Sequence, residues 1–179
     1  MDEGKISVRY AQALYALAEE KNLQKEIYAS MERLTQAFFQ VPELAHTLAN
    51  PMHTRTEKLD LLITASACKP KSLLANFFGF VIDKGREEFM VFMSMSYQKI
   101  YREKERVVLG KITSAIPLKD ASIAKIRQLV DKQFSASIEL TTDVEPEIMG
   151  GFILEVDNYR MDSSIRTELE HIRTELLSD

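Results

Sequence analysis

The chain has 179 residues, 45% of them hydrophobic and 28% charged, which suits one ordinary domain or two small ones. Its net charge of −4 lacks the basic surplus that drives binding to nucleic acid, and its single cysteine, Cys68, excludes a disulfide framework or a cysteine-rich metal site. No apolar run approaches the ~20 residues that span a bilayer, and the opening Met1-Asp2-Glu3-Gly4-Lys5 lacks a signal peptide's apolar core, so any contact with a membrane is expected to be indirect.

Up to about residue 105 the apolar period is helical. Helices are predicted over about 5–21, 23–40, 42–49, 54–67, 70–84 and 87–105, parted by Asn22, Pro42, Asn50-Pro51 and Pro70. In the second, Leu23, Ile27, Met31, Leu34 and Phe38 make one buried stripe with Lys25, Glu26, Glu32 and Arg33 outside. Thr54 and Glu57 have the spacing of a capping box ahead of Leu59, Leu62 and Ile63. Met90, Met93 and Met95, with Phe89 and Phe92, read as core of the sixth.

The first and fifth helices are apolar over more than one face. Ile6, Tyr10, Ala13 and Leu17 form a stripe that Val8, Ala11, Tyr15 and Ala18 widen to an arc of roughly 220° at ~100° per residue. On the fifth, Leu73, Phe77, Phe80 and Val81 share the surface with Leu74, Ala75, Phe78 and Ile82. Two arrangements satisfy such an arc: a helix central in its bundle, or one half-covered and offering the rest to a partner helix. Ala13 and Gly79 would allow close approach in a groove between the two.

Near Arg106 the period changes, marking a boundary between domains 1–105 and 106–179. Val107–Ile116 reads as a strand, with Val108, Ile112 and Ile116 on one face and Pro117 ending it. A helix over about 119–134 carries Ile123, Ile126, Val130 and Phe134. Ile138–Thr141 and Phe152–Val156 are further strands, separated by Pro146 and the turn or close-approach pair Gly150-Gly151. Asp157-Asn158 closes a tight turn into Tyr159–Met161. Asp162 is placed to cap a last helix at about 163–177, whose inner stripe is Ile165, Leu169, Ile172 and Leu176. The fold class is therefore mainly α, a six-helix N-terminal bundle followed by a small mixed α/β domain.

Catalytic chemistry has no foothold. His46, His53 and His171 do not recur at ligand spacing, and His171 with Glu168 and Glu175 reads as a solvated helix face. No phosphate loop ends in Lys-Ser or Lys-Thr, and Ser163-Ser164 beside Asp162 reads as capping without a base. A helical RNA-binding module would need a basic face, yet the first 105 residues carry equal numbers of basic and acidic side chains. A small hydrolase would need a nucleophile beside a positioned base, which is not visible.

The opening Arg9-Tyr10-Ala11-Gln12-Ala13-Leu14, the Asn50-Pro51 pair with Lys58, the turn Asp83-Lys84-Gly85-Arg86 and Val107 through Leu118 resemble the delta subunit of bacterial F-type ATP synthases, itself similar to the mitochondrial oligomycin-sensitivity-conferring protein. The most specific stretch runs from Ile138 to Ile172, where Gly150, Gly151, Asp162, Ser164, Ile165, Arg166 and Leu169 fall at family positions. Asp157 stands where that family usually has glycine, and Thr167 where it has a small residue. The resemblance implies a non-catalytic stator subunit without cofactor or metal, attached to the ATP synthase on the cytoplasmic face of the bacterial plasma membrane. It implies an N-terminal domain that binds N-terminal segments of alpha subunits and a C-terminal domain that binds the C-terminal region of the peripheral-stalk b subunit. The implied alpha-binding groove consists of Tyr10, Ala13, Leu14, Leu17, Phe77, Phe80, Val81 and Lys84.

Overall fold

The structure, a computed structural model, describes residues 3–134, 137–157 and 159–177, and the side chains of all of these except 3, 129–134 and 177. The chain divides into two compact units, Met1–Lys104 and Glu105–Asp179.

Six helices build the first unit: α1 Glu3–Glu20, α2 Gln24–Gln40, α3 Glu43–Ala49, α4 Arg55–Ser66, α5 Leu73–Asp83 and α6 Met90–Glu105. Their ends follow local chemistry. Asn22 takes a left-handed φ of +53° after α1, and the Leu23 N–H returns to the Ala18 carbonyl at 2.9 Å. Thr54 and Glu57 form a complete capping box at the start of α4. Helix α5 begins three residues later than predicted because Ser72, not Pro70, is its cap, accepting from the Ala75 N–H at 3.2 Å. The predicted sixth helix opens as a separate 3-10 turn, Glu87–Phe89.

Leu14, Met31, Leu34, Leu48, Leu62, Phe78, Val81, Met90 and Met93 are all fully buried, each stabilising by roughly 1.5–3 kcal/mol relative to exposure. The α2 stripe faces inward as its spacing implies. In α6 only half of the apolar group does: Phe92 and Met95 are half-exposed, a correction to their reading as core. The inner face of α6 instead carries polar side chains that meet α2. Ser94 and Thr35 share a hydrogen bond of 2.8 Å, Gln98 donates to Thr35 Oγ1 at 2.7 Å, and the buried Tyr97 hydroxyl donates to the Gln24 carbonyl at 3.2 Å. Satisfied pairs of this kind fix the register of two helices that Leu and Met alone would leave free to slide.

The second unit is a four-stranded sheet with two helices. Its strands are β1 Val107–Ser114, β2 Ser137–Val144, β3 Gly151–Val156 and β4 Tyr159–Ser164, in the order β2-β1-β3-β4. Helix α7, Asp120–Phe134, connects β1 to its parallel neighbour β2, while β1–β3 and β3–β4 pair antiparallel. One face of the sheet carries Ile112, Ile138, Leu154 and Val156, closed by Val108, Leu118, Phe152 and Ile126 of α7. The predicted α7 positions Val130 and Phe134 lie outside the described side chains, and Asn158 lies outside the described residues. Ile116 is beyond the end of β1 and mostly exposed, so it does not extend the Val108–Ile112 face.

The last helix, α8 Ile165–Leu177, departs most from expectation. Asp162 is a residue of β4, and the cap is Ser164, whose Oγ accepts the Thr167 N–H at 3.3 Å. The stripe expected to face inward is exposed: Ile165 46%, Leu169 51%, Ile172 48% and Leu176 75%. Spacing reports that four apolar side chains share a helix face; it does not report which way the face turns.

Candidate partner-binding surfaces

The wide arc of α1 resolves into two stripes. Ser7, Ala11, Leu14, Tyr15 and Ala18 point into the bundle and are buried, whereas Ala13 and Leu17 are exposed and Ile6 and Tyr10 half-buried on the other side. Helix α1 is thus half-covered, the second of the two arrangements its sequence allowed.

The outer stripe meets α5 through aromatic rings. Tyr10 lies edge-on to Phe77 with centroids 6.5 Å apart and tilted against Phe80 at 6.0 Å. Phe80 is 51% exposed, and the Lys84 ammonium sits 5.7 Å over its ring. Of the eight groove residues expected, Tyr10, Ala13, Leu17, Phe80 and Lys84 reach the surface. Phe77 is buried beneath Tyr10, and Leu14 and Val81 have no exposed surface at all. The last two are core residues in the free chain. What remains is an exposed apolar strip that carries the Tyr10 and Phe80 rings, with the Lys84 ammonium beside Phe80.

Gly79 lies off this strip. A Cβ there would come 2.9 Å from Arg55 Nη2, so the glycine makes room for an ion pair between α4 and α5 rather than for a partner. Arg55 donates to Asp83 at 2.5 and 3.1 Å, and one turn along α4 Lys58 donates to Glu87 at 2.6 Å. These two pairs fasten α4 to the end of α5 and to the 3-10 turn after it, the segment that presents Lys84. Sequence reasoning missed them. The signal was two bases three apart on α4 and two acids four apart in the following turn, readable only once the helices are known to pack together.

In the second unit the signature residues meet where β4 passes into α8. Gly151 has φ +74°, and a Cβ on it would run into the Ser163 carbonyl; a Cβ on Gly150 would come 2.6 Å from Ile165 Cδ1. Asp162 Oδ1 accepts the Ser164 N–H at 3.0 Å, and hydrogen bonding from Ser164, hydroxyl and then backbone, holds the Asp162 carboxyl below its ordinary value. Glycines, Asp162 and Ser164 therefore set the direction in which α8 leaves the sheet, while Arg166 and Leu169 stand on the helix itself, half-buried and exposed. A shallow hollow at this junction is lined by Asp162, Ser164, Thr167, Glu168 and His171. Among the described residues no three His, Cys, Asp or Glu side chains gather to hold a metal ion, and no helix is long and apolar enough to cross a membrane.

A helical unit with an uncovered apolar strip, joined to a small sheet that projects an uncovered helix, defines a two-part adaptor. The profile of the ATP synthase delta (OSCP) subunit family matches residues 6–176, and the chain belongs to that family. It is 34% identical to the ATP synthase subunit delta of Phocaeicola vulgatus, covering 98% of this chain and 95% of that one. It is 35% identical to that of Parabacteroides distasonis, over 100% and 99%. The subunit delta of Desulfitobacterium hafniense is 30% identical over 98% of both chains. Among solved structures, a chain of the cryo-EM structure of the Toxoplasma gondii mitochondrial ATP synthase hexamer shares the fold with a TM-score of 0.59, at 20% identity, covering 99% of this chain and 98% of that one.

Proposed function

We propose that the chain holds the stationary part of an ATP synthase together. As a member of the delta family it is a non-catalytic peripheral-stalk subunit. In finer terms, the α1–α5 strip receives an N-terminal segment of an alpha subunit, and the C-terminal unit binds the C-terminal region of the b subunit. The chain would then sit at the cytoplasmic face of the bacterial plasma membrane, held there by the complex. The observation that carries the alpha reading is the outward stripe of α1, with Tyr10 resting on Phe77 and Phe80 beside an exposed Ala13 and Leu17.

The mechanical task explains why such a surface suffices. Rotor torque drags the catalytic head unless a static link opposes it, and the link must stay bound over many turnovers. Slow dissociation comes from a desolvated apolar anchor, not from exposed ion pairs worth about 0–1 kcal/mol each. The test is calorimetry of the full chain with an alpha N-terminal peptide. Ala13→Asp, an exposed position, should leave the fold intact and weaken binding by about thirtyfold or more. Unchanged affinity would remove the strip from consideration.

A further inference from the structure

Helix α8 carries four apolar side chains at spacings of four, three and four: Ile165, Leu169, Ile172 and Leu176. Single exposed apolar residues are ordinary, but four in a heptad register, each about half-exposed or more, form a continuous seam. With Ile165 and Ile172 at the d positions and Leu169 and Leu176 at a, Arg166 and Arg173 fall at e and Glu168 and Glu175 at g. One flank of the seam is therefore basic and the other acidic. The base of the helix is fixed, because Ser164 caps it and Ile165 rests on Gly150.

We propose that α8 is the docking seam for a partner helix that has a heptad apolar stripe of its own, with basic side chains on the flank meeting Glu168 and Glu175 and acidic ones on the flank meeting Arg166 and Arg173. The inference rests on the reading of the C-terminal unit as the stalk-binding one and assigns the surface and the charges of the partner. Flank charges set partner choice and direction in paired helices. A second copy of this chain would satisfy the pattern only in parallel, Glu168 of one helix facing Arg173 of the other, since the antiparallel pair opposes like charges. Two copies would offer each other only the 13 residues of α8, under two heptads and short of the roughly three to four that sustain a coiled coil, whereas a longer partner helix brings its own helical stability.

The test titrates the full chain with three probes by calorimetry: a synthetic peptide of about four heptads with a leucine seam, lysine on one flank and glutamate on the other; the same peptide with glutamate on both flanks; and the C-terminal region of the b subunit from the same organism. The split-charge peptide and the b region should bind, and Leu169→Glu should weaken both about thirtyfold or more, with Ile172→Glu acting alike. The all-glutamate peptide should bind about fivefold more weakly, a gap that closes at high salt. Circular dichroism of the two variants, both at exposed positions, establishes that they fold. Equal binding of every probe by wild type and variants overturns the inference. A b region that binds wild type and Leu169→Glu equally overturns it too, while leaving the stalk reading intact. A split-charge peptide that binds through Leu169 while the b region binds nowhere supports the seam and removes the stalk reading. A wild-type chain that sediments as a dimer which Leu169→Glu dissolves assigns the seam to a second copy and overturns the proposal.

Discussion

Lys58 and Glu87 meet at 2.6 Å with their side chains only 7% and 14% exposed, and the second carboxylate oxygen of Glu87 is buried without a hydrogen-bond partner among the described residues. A pair with one orphaned oxygen is a weak source of net stability, yet breaking it from one side leaves a charge stranded in the bundle. Lys58→Met should therefore cost about 3 kcal/mol in urea unfolding, and Lys58→Met combined with Glu87→Leu should recover most of it. A double variant no more stable than the single one would show that the pair is worth its desolvation.

The neighbouring pair answers to acid. Hydrogen bonding to Arg55 holds the Asp83 carboxyl below its ordinary value of 3.8. A carboxylate depressed on folding adds stability above its unfolded value and loses it as pH falls through the lower folded value, where the native state must take up the proton. Thermal melts of wild type and Asp83→Asn should therefore differ at neutral pH, begin to converge as pH falls below about 4, and meet only below the depressed folded value. Both side chains are half-exposed, so added salt should shrink the difference.

Two positions with positive φ respond oppositely to substitution. At Gly151, φ +74°, a methyl group collides with the Ser163 backbone, and Gly151→Ala should destabilise the sheet by about 2–4 kcal/mol. At Asp157, φ +51° in the turn between β3 and β4, the strain is already present, and Asp157→Gly should stabilise by about 0.5–1 kcal/mol. Hydrogen exchange of the β3 and β4 amides would report both changes.

On α1 the two stripes separate stability from binding. Leu14→Ala, at a position with no exposed surface, should cost about 2–5 kcal/mol. Leu17→Ala, 44% exposed, should stay within about 0.5 kcal/mol of wild type while lowering affinity for an alpha N-terminal peptide. Denaturant melts paired with calorimetry distinguish the two.

Periodicity and capping made the eight helices and three of the four strands legible before any coordinate was known, because they are local; β4 read only as a short stretch after a turn, and the 3-10 turn Glu87–Phe89 as part of the sixth helix. Thr54 with Glu57, the α2 stripe and Gly150-Gly151 behave as their spacing implies. What spacing could not carry was direction. The apolar arc of α1 gave no sign that Leu14 faces in while Leu17 faces out, and the α8 stripe looked the same whether covered or bare. Gly79 was misread for the same reason, since its role depends on Arg55, which comes from another helix. The choice between Asp162 and Ser164 as the cap turned on where β4 ends, which is set by its pairing with β3.

The mixed sheet also orders events during synthesis. Strand β1 leaves the ribosome directly after α6, but its partners are β2, some thirty residues later, and β3, later still. Such pairings wait on chain that has yet to be made, while all six helices of the unit ahead of them are complete when β1 emerges. The nascent chain therefore carries a folded bundle followed by a solitary strand with both edges open. That interval is when Val107 to Ser114 could pair with a neighbouring nascent chain, and it closes only when the β3–β4 hairpin arrives.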